Sequence, residues 1–150
     1  MVDPRAKGAK AETVIRDFLR KHTGLQWERV PGSGALDEKH GLKGDLYVPN
    51  EKNLYCVECK HYADDHFNSS LFSGINPQLM QWWSQTARQA KQVNRKPLLV
   101  FKHDRSKLLV MHEDYPKGDY RHAALYIFNE NLYVSLLEDW LVIDKPKFIE

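Results

Sequence analysis

The stretch YCVECK, residues 55–60, constrains this chain more than any other. On a β-strand successive side chains alternate between two faces. Val57 and Cys59 then share an apolar side, and Glu58 and Lys60 share the opposite one. Read instead as Cys56-x-x-Cys59, the same residues form a thiol pair for redox work or metal binding. Residues three apart on a strand point to opposite faces, and no second Cys pair or suitably spaced His pair completes a zinc site. The strand reading stands.

The surrounding segments give that strand its neighbours. Residues 7–22 have Ala11, Val14, Ile15, Phe18 and Leu19 at helical spacing, with Gly24 as the stop. LQWERV, 25–30, alternates like a strand and enters the glycine-rich loop PGSGALDEKHGLKG, 31–44. GDLYV, the turn PNEKN and LYCVECK then make a β-hairpin. A polar loop is expected from His61 to Asn76, and Pro77 suits the first turn of a helix over 77–94. Leu79, Trp82, Trp83, Ala87 and Ala90 form its apolar side, so Trp82 and Trp83 read as core or interface residues rather than base-stacking platforms. PLLVF (97–101), KLLVMH (107–112), ALYIF and NLYVSLL read as further strands around a polar loop at 113–123, and SLLEDWLVI closes as a short helix. This order predicts an α/β (α+β) mixed central sheet flanked by helices, in one domain over 1–150.

Composition is that of a globular chain, 42% hydrophobic and 28% charged, without an apolar run long enough for a membrane helix. MVDPRAKGAK lacks the apolar core of a signal peptide, which points to the cytoplasm (a host's, if the chain is viral). Two cysteines are too few for a disulfide framework. Net charge is only +2 but uneven. Arg88, Lys91, Arg95, Lys96, Lys102, Arg105 and Lys107 face Asp104 alone within residues 85–107, and the first 21 residues, with Lys7 and Lys10, are also basic. Local positive fields of this kind attract polyanions. Gln85, Arg88 and Lys91, at i, i+3 and i+6, fall along one helix side facing either solvent or a DNA backbone.

The chemistry rests on the hairpin. Asp45 follows Gly44 on the partner strand, where a cross-strand arrangement brings its carboxylate toward that of Glu58. Two converging carboxylates repel each other, and a hard divalent cation such as Mg²⁺ resolves the cost by taking their oxygens while keeping several waters. Asp45, Glu58 and a strand carbonyl, that of Cys59, would hold one or two ions. Lys60 is placed to orient a water or to stabilise developing negative charge. Glu12 lies about 20° from Leu19 around the first helix, at the border of its apolar face. Alone it reads as a boundary glutamate paired with a lysine or arginine; beside Asp45, Glu58 and Lys60 it joins the metal set, directly or through water.

The pattern Glu12, Gly44-Asp45, Glu58-Cys59-Lys60 resembles the PD-(D/E)XK nuclease superfamily, and within it the archaeal and phage Holliday-junction resolvases. KGAKAE (7–12) resembles their opening helix, RVPGSGA (29–35) their strand-to-loop element, GDLYV…YCVECK their metal-binding hairpin, and 81–101 their helix-then-strand continuation. The likeness covers residues 7–102. It implies a restriction-endonuclease-like fold and a homodimer cutting branched DNA with Mg²⁺ (Mn²⁺ substituting) to leave a 5′ phosphate. It also implies a catalytic set of Glu12, Asp45, Glu58 and Lys60, with Ser33 near the scissile phosphate. Lys7, Lys10, Arg29, Ser33, Gln85, Arg88 and Lys91 are the candidate DNA contacts. Gly44 replaces the usual proline, a mild change because glycine also permits the needed turn. A nuclease for flaps, nicked or linear duplex or RNA, or a non-cutting DNA-binding module, are the alternatives.

Other motifs carry less. Gly32-Ser33-Gly34 lacks the third glycine and following helix of a dinucleotide loop. His61, Asp64, Asp65 and His66 lack a metal-loop spacing and read as solvated loop residues, and His103 and His112 have no partner identifiable from sequence.

Overall fold

The computed structural model describes residues 4–31, 43–127 and 129–150, with side chains of the first helix from Ala9 onward. Helix α1, Pro4–Thr23, is amphipathic as its spacing predicts and buries Ala11, Ile15 and Leu19. It stops at Gly24, whose φ of +74° suits glycine and whose N–H returns to the Arg20 carbonyl at 3.0 Å. The expected strand over 25–30 shrinks to β1, Glu28–Arg29. The reason is local: the Thr23 hydroxyl accepts from both the Leu25 N–H and the Trp27 indole N–H, turning 25–27 back onto the helix end.

Strand β2 is Leu46–Tyr47 and β3 is Tyr55–Tyr62, antiparallel with Leu46 opposite Val57. The predicted hairpin exists, but β2 is very short. Strand β3 runs two residues further than expected because it pairs in parallel with β4, Lys96–His103, over its full length, from Tyr55 opposite Lys96 to Tyr62 opposite His103. His61 and Tyr62 are therefore strand, not loop. The segment after them also holds a short helix α2, Ser70–Ser73, ahead of α3, Gln78–Gln92. A parallel pair needs a long crossover, which these helices supply.

Strands β5 (Leu109–His112), β6 (His122–Ile127) and β7 (Glu130–Leu136) complete a seven-stranded sheet ordered β1-β2-β3-β4-β5-β7-β6, antiparallel except for β3–β4. The expected closing helix is α4, Leu137–Asp139, running into one π-helical turn, Trp140–Asp144. The result is the mixed sheet flanked by helices that the order of elements implies.

Period two decides which side chains meet which helix. Val57, Cys59, Leu98, Val100 and Val110 pack with Ile15 and Leu19 of α1 and with Trp27, Trp140 and Phe148. Leu99, Phe101 and Met111 face the other way, onto Leu79, Met80, Trp82 and Trp83 of α3. Both tryptophans of α3 are buried, as their spacing requires. Cys56 and Cys59 are free buried thiols; burial first, then the charge of Glu58, pushes Cys56 up to about 12. No helix among the described residues is long and apolar enough to cross a membrane.

His112, without a partner identifiable from sequence, has two in the fold. Its ring stacks on Trp140 at 4.5 Å and its Nδ1 accepts the Asp114 N–H at 3.1 Å. Burial drives its pKa down from 6.5 to about 4. The unfolded chain thus takes up a proton that the fold resists. This contribution to stability is complete above about pH 6.5 and is lost as pH falls from there to about 4, reaching about 3 kcal/mol. Melting temperatures measured across pH 7.5–4.5 should drop steeply in the native protein. In His112→Phe, which keeps a ring against Trp140 but cannot titrate, the drop should be much shallower.

Candidate active site

The two-residue length of β2 creates the site. Its ladder with β3 stops at Val57, where the Asp45 N–H donates to the Val57 carbonyl at 2.7 Å. Beyond that point the β3 edge has no strand partner on this side among the described residues. The Asp45 side chain substitutes for one: its Oδ2 accepts the Cys59 N–H at 2.7 Å. A strand residue's N–H and C=O point to the same edge, so the Cys59 carbonyl opens toward Asp45 as well.

Gly44 sets this geometry. Its φ is +84°, and a Cβ there would stand 2.6 Å from the Val57 oxygen and 3.1 Å from Cys56 Sγ. Proline is confined to φ near −65°. Glycine is thus not a mild replacement for the superfamily's proline but a different backbone, one that brings residue 44 itself against β3. Cys56, without an assigned role in the sequence, packs against this glycine.

Glu58 projects beside this junction and is only 6% exposed. Lys60 Nζ lies 3.7 Å from its Oε1, while its Oε2 is buried with no hydrogen-bond partner among the described residues. Glu12, on α1, bears on Asp45 through its charge. Carboxyl groups that repel one another in a buried site favour a shared proton or a cation. Asp45 is accordingly held well above the usual carboxylate range, by burial first and then by the charge of Glu58, against the opposing Cys59 hydrogen bond, with Glu12 adding to the rise. Glu58 is also raised by burial, with Lys60 pulling the other way.

This cluster fits a hard divalent cation. Among the described residues no group of three or more His, Cys, Asp or Glu side chains is placed to hold a metal ion. Magnesium needs fewer protein ligands, since it binds through one or two carboxylates and keeps its waters. A buried carboxylate oxygen without a partner, two mutually repelling neighbours and an edge carbonyl are the donors such an ion takes.

The other candidate residues fall differently. Arg29 does not stand free toward solvent: its guanidinium bonds Glu12 Oε2 at 3.2 Å, the arginine partner that the boundary-glutamate reading of Glu12 expects. Lys10 lines a hollow of about 180 Å³ together with His61 and Lys102, one strand residue past Lys60. Gln85, Arg88 and Lys91 lie on α3, the last two exposed. Ser33 and the side chain of Lys7 lie outside the described residues. The polar cluster after Lys60 is dispersed: His61 sits on β3 with Nε2 2.8 Å from Asp104, Asp65 lies 3.9 Å from His103, and His66 packs edge-on against Trp82. Tyr62 was missed. The alternation that links Glu58 to Lys60 reaches it at the next step, had β3 been carried past Lys60.

Comparison with known proteins shows the family. The chain is 43% identical over 148 residues to "Protein D14" of Escherichia phage T5, covering 93% of this chain and 92% of that one. A family model described as "Phage putative PDDEXK endonuclease" matches residues 3–140, a span that holds Glu12, Asp45, Glu58 and Lys60 and the whole seven-stranded sheet. With nearly all of its length inside that match, the chain belongs to this family of phage nucleases and has its restriction-endonuclease-like fold.

Proposed function

We propose that the protein is a Mg²⁺-dependent endonuclease that cuts branched DNA as a homodimer, in the manner of a Holliday-junction resolvase, leaving a 5′ phosphate. The observation that carries the metal-dependent part is the pairing of Asp45 with Glu58, whose buried Oε2 has no hydrogen-bond partner among the described residues, with the charge of Glu12 bearing on both. Asp45, Glu58 and the Cys59 carbonyl would hold the ion, with Glu12 directly or through water. When bound, it supplies an activated water and offsets charge on the phosphate.

The chain's own groups do the rest. Lys60, fixed beside Glu58, is positioned to donate to a phosphate oxygen or to orient the attacking water. The Cys59 N–H holds the Asp45 carboxylate in place from the strand edge. Lys10 and Lys102, which line one hollow with His61, offer positive charge to the DNA backbone nearby. Branched DNA as the substrate is supported by the likeness of residues 7–102 to junction resolvases. A four-way junction presents two symmetric scissile strands, which a two-fold dimer matches.

The test is a cutting assay on a four-way junction, a flap, linear duplex and single strand, in Mg²⁺ or EDTA. The protein should elute as a dimer by light scattering. Cutting should be confined to Mg²⁺, be strongest on the junction, leave 5′ phosphates and disappear in Glu58→Ala. If nothing is cut, the nuclease reading of this chain fails; if linear duplex is preferred, the junction specificity fails and the nuclease remains.

A further inference from the structure

Strand β3 carries its functional row one residue beyond the site just described. Glu58, Lys60 and Tyr62 alternate onto the same face, and same-face neighbours on a strand are spaced by about 6.6 Å. The Tyr62 ring thus begins one such step from the lysine at the reaction centre. It is 43% exposed although it lies against the core. One face stacks on the buried Trp82 ring at 4.7 Å and 27°, and the His66 imidazole stands edge-on to it at 5.9 Å. His66 is itself braced edge-on against Trp82 at 5.0 Å. The Tyr62 hydroxyl makes no hydrogen bond among the described residues.

A phenol ring fixed by two aromatic neighbours, with 43% of the residue still exposed, has already lost the freedom that stacking would otherwise cost. Beside a phosphodiester-cutting centre, the ligand whose size and π-face match it is a nucleobase. Within continuous duplex both faces of each base are covered by its neighbours. A platform of this kind therefore accepts only a base with an open face, at a branch point, flap or strand end.

We propose that Tyr62, backed by Trp82 and braced by His66, is a base-stacking platform that receives an unstacked nucleotide next to the scissile phosphate and makes the enzyme select DNA by structure. This rests on the nuclease reading of the Glu58 site and names what that site discriminates. Lys60 meets the phosphate and Tyr62 meets the base, so the two act on one end of the same substrate. A ring that merely caps Trp82 would contribute to stability and leave the choice of substrate untouched.

The experiment measures binding in EDTA, where no cutting occurs, to a four-way junction, a single strand and a linear duplex. Tyr62→Ala should weaken binding to the junction and single strand by on the order of ten-fold and leave duplex binding unchanged. Tyr62→Phe, which keeps the ring face, should bind like the native protein. Melting temperatures of both variants confirm that they fold. In parallel, junctions carrying 5-iododeoxyuridine beside the branch point are irradiated with the native protein, and the crosslinked peptide should contain Tyr62. Equal weakening on all three DNAs, no weakening of any, or crosslinks only elsewhere would overturn the proposal. A Tyr62 crosslink in a protein that cuts nothing would support the platform and sink the nuclease. Junction-selective cutting that persists in Tyr62→Ala would do the reverse.

Discussion

Changing Asp45 to asparagine should abolish Mg²⁺-dependent cutting, by on the order of 10³-fold, and yet make the metal-free protein more stable. Asparagine keeps an oxygen for the Cys59 N–H, the 2.7 Å bond that anchors the loop to β3. It removes the charge that burial, Glu58 and Glu12 all oppose. A carboxyl whose pKa is higher in the fold than in the unfolded chain holds its proton more tightly when folded. Its ionisation then works against folding, a penalty that sets in as pH rises through the ordinary value near 3.8 and is complete above the raised one. At neutral pH the metal-free variant should therefore melt at a higher temperature than the native protein. Mg²⁺ should raise the melting temperature of the native protein and have little effect on the variant. Thermal melts in EDTA and in Mg²⁺, paired with the cutting assay, check both halves. An Asp45→Asn protein that melts lower, or still cuts, contradicts the assignment. Both outcomes together would mean that the site favours a ligand at the expense of the empty fold, as functional sites commonly do.

The second large effect is at Gly44. Gly44→Ala should lose about 2–4 kcal/mol of stability and most of its activity, because alanine must either leave φ +84° or push the Val57 strand away. Either movement shifts Asp45, the next residue, out of reach of the Cys59 N–H. Gly24 is the control. It also has positive φ, +74°, but a Cβ there meets nothing within 4 Å. Gly24→Ala should cost only about 1 kcal/mol and cut normally. Denaturant melts and initial cutting rates of the two variants separate backbone preference from close approach. Similar losses at both glycines would mean that contact with β3 is not what Gly44 provides.

Much of this protein is legible in one dimension. The spacing of Ile15 and Leu19 places a helix, and that of Leu79, Trp82 and Trp83 places another, because a helix that buries one face must repeat it. Alternation in YCVECK separates Val57 and Cys59 from Glu58 and Lys60 without reference to anything outside the strand, and it disposes of the Cys-x-x-Cys pair on the same ground. The identity of the catalytic candidates therefore comes from local rules. Where β3 ends does not, because that depends on a parallel partner more than thirty residues away: His61 and Tyr62 look like loop residues until β4 runs beside them. The partners of Arg29 and His112 are likewise invisible, since Glu12 and Trp140 reach them through chain folding alone.

Sequence by itself determined which side chains could do chemistry here and on which face of their strand they stand, because alternation is a property of the backbone. Only the tertiary structure decided what surrounds them. It showed that β2 is too short to cover the edge of β3 and that Gly44 itself packs onto that edge. It also showed that Glu12 pairs with Arg29 and that Tyr62 rests on Trp82 two residues past Lys60. These are contacts between residues far apart in the chain, set by packing and charge in three dimensions, and no local pattern encodes them.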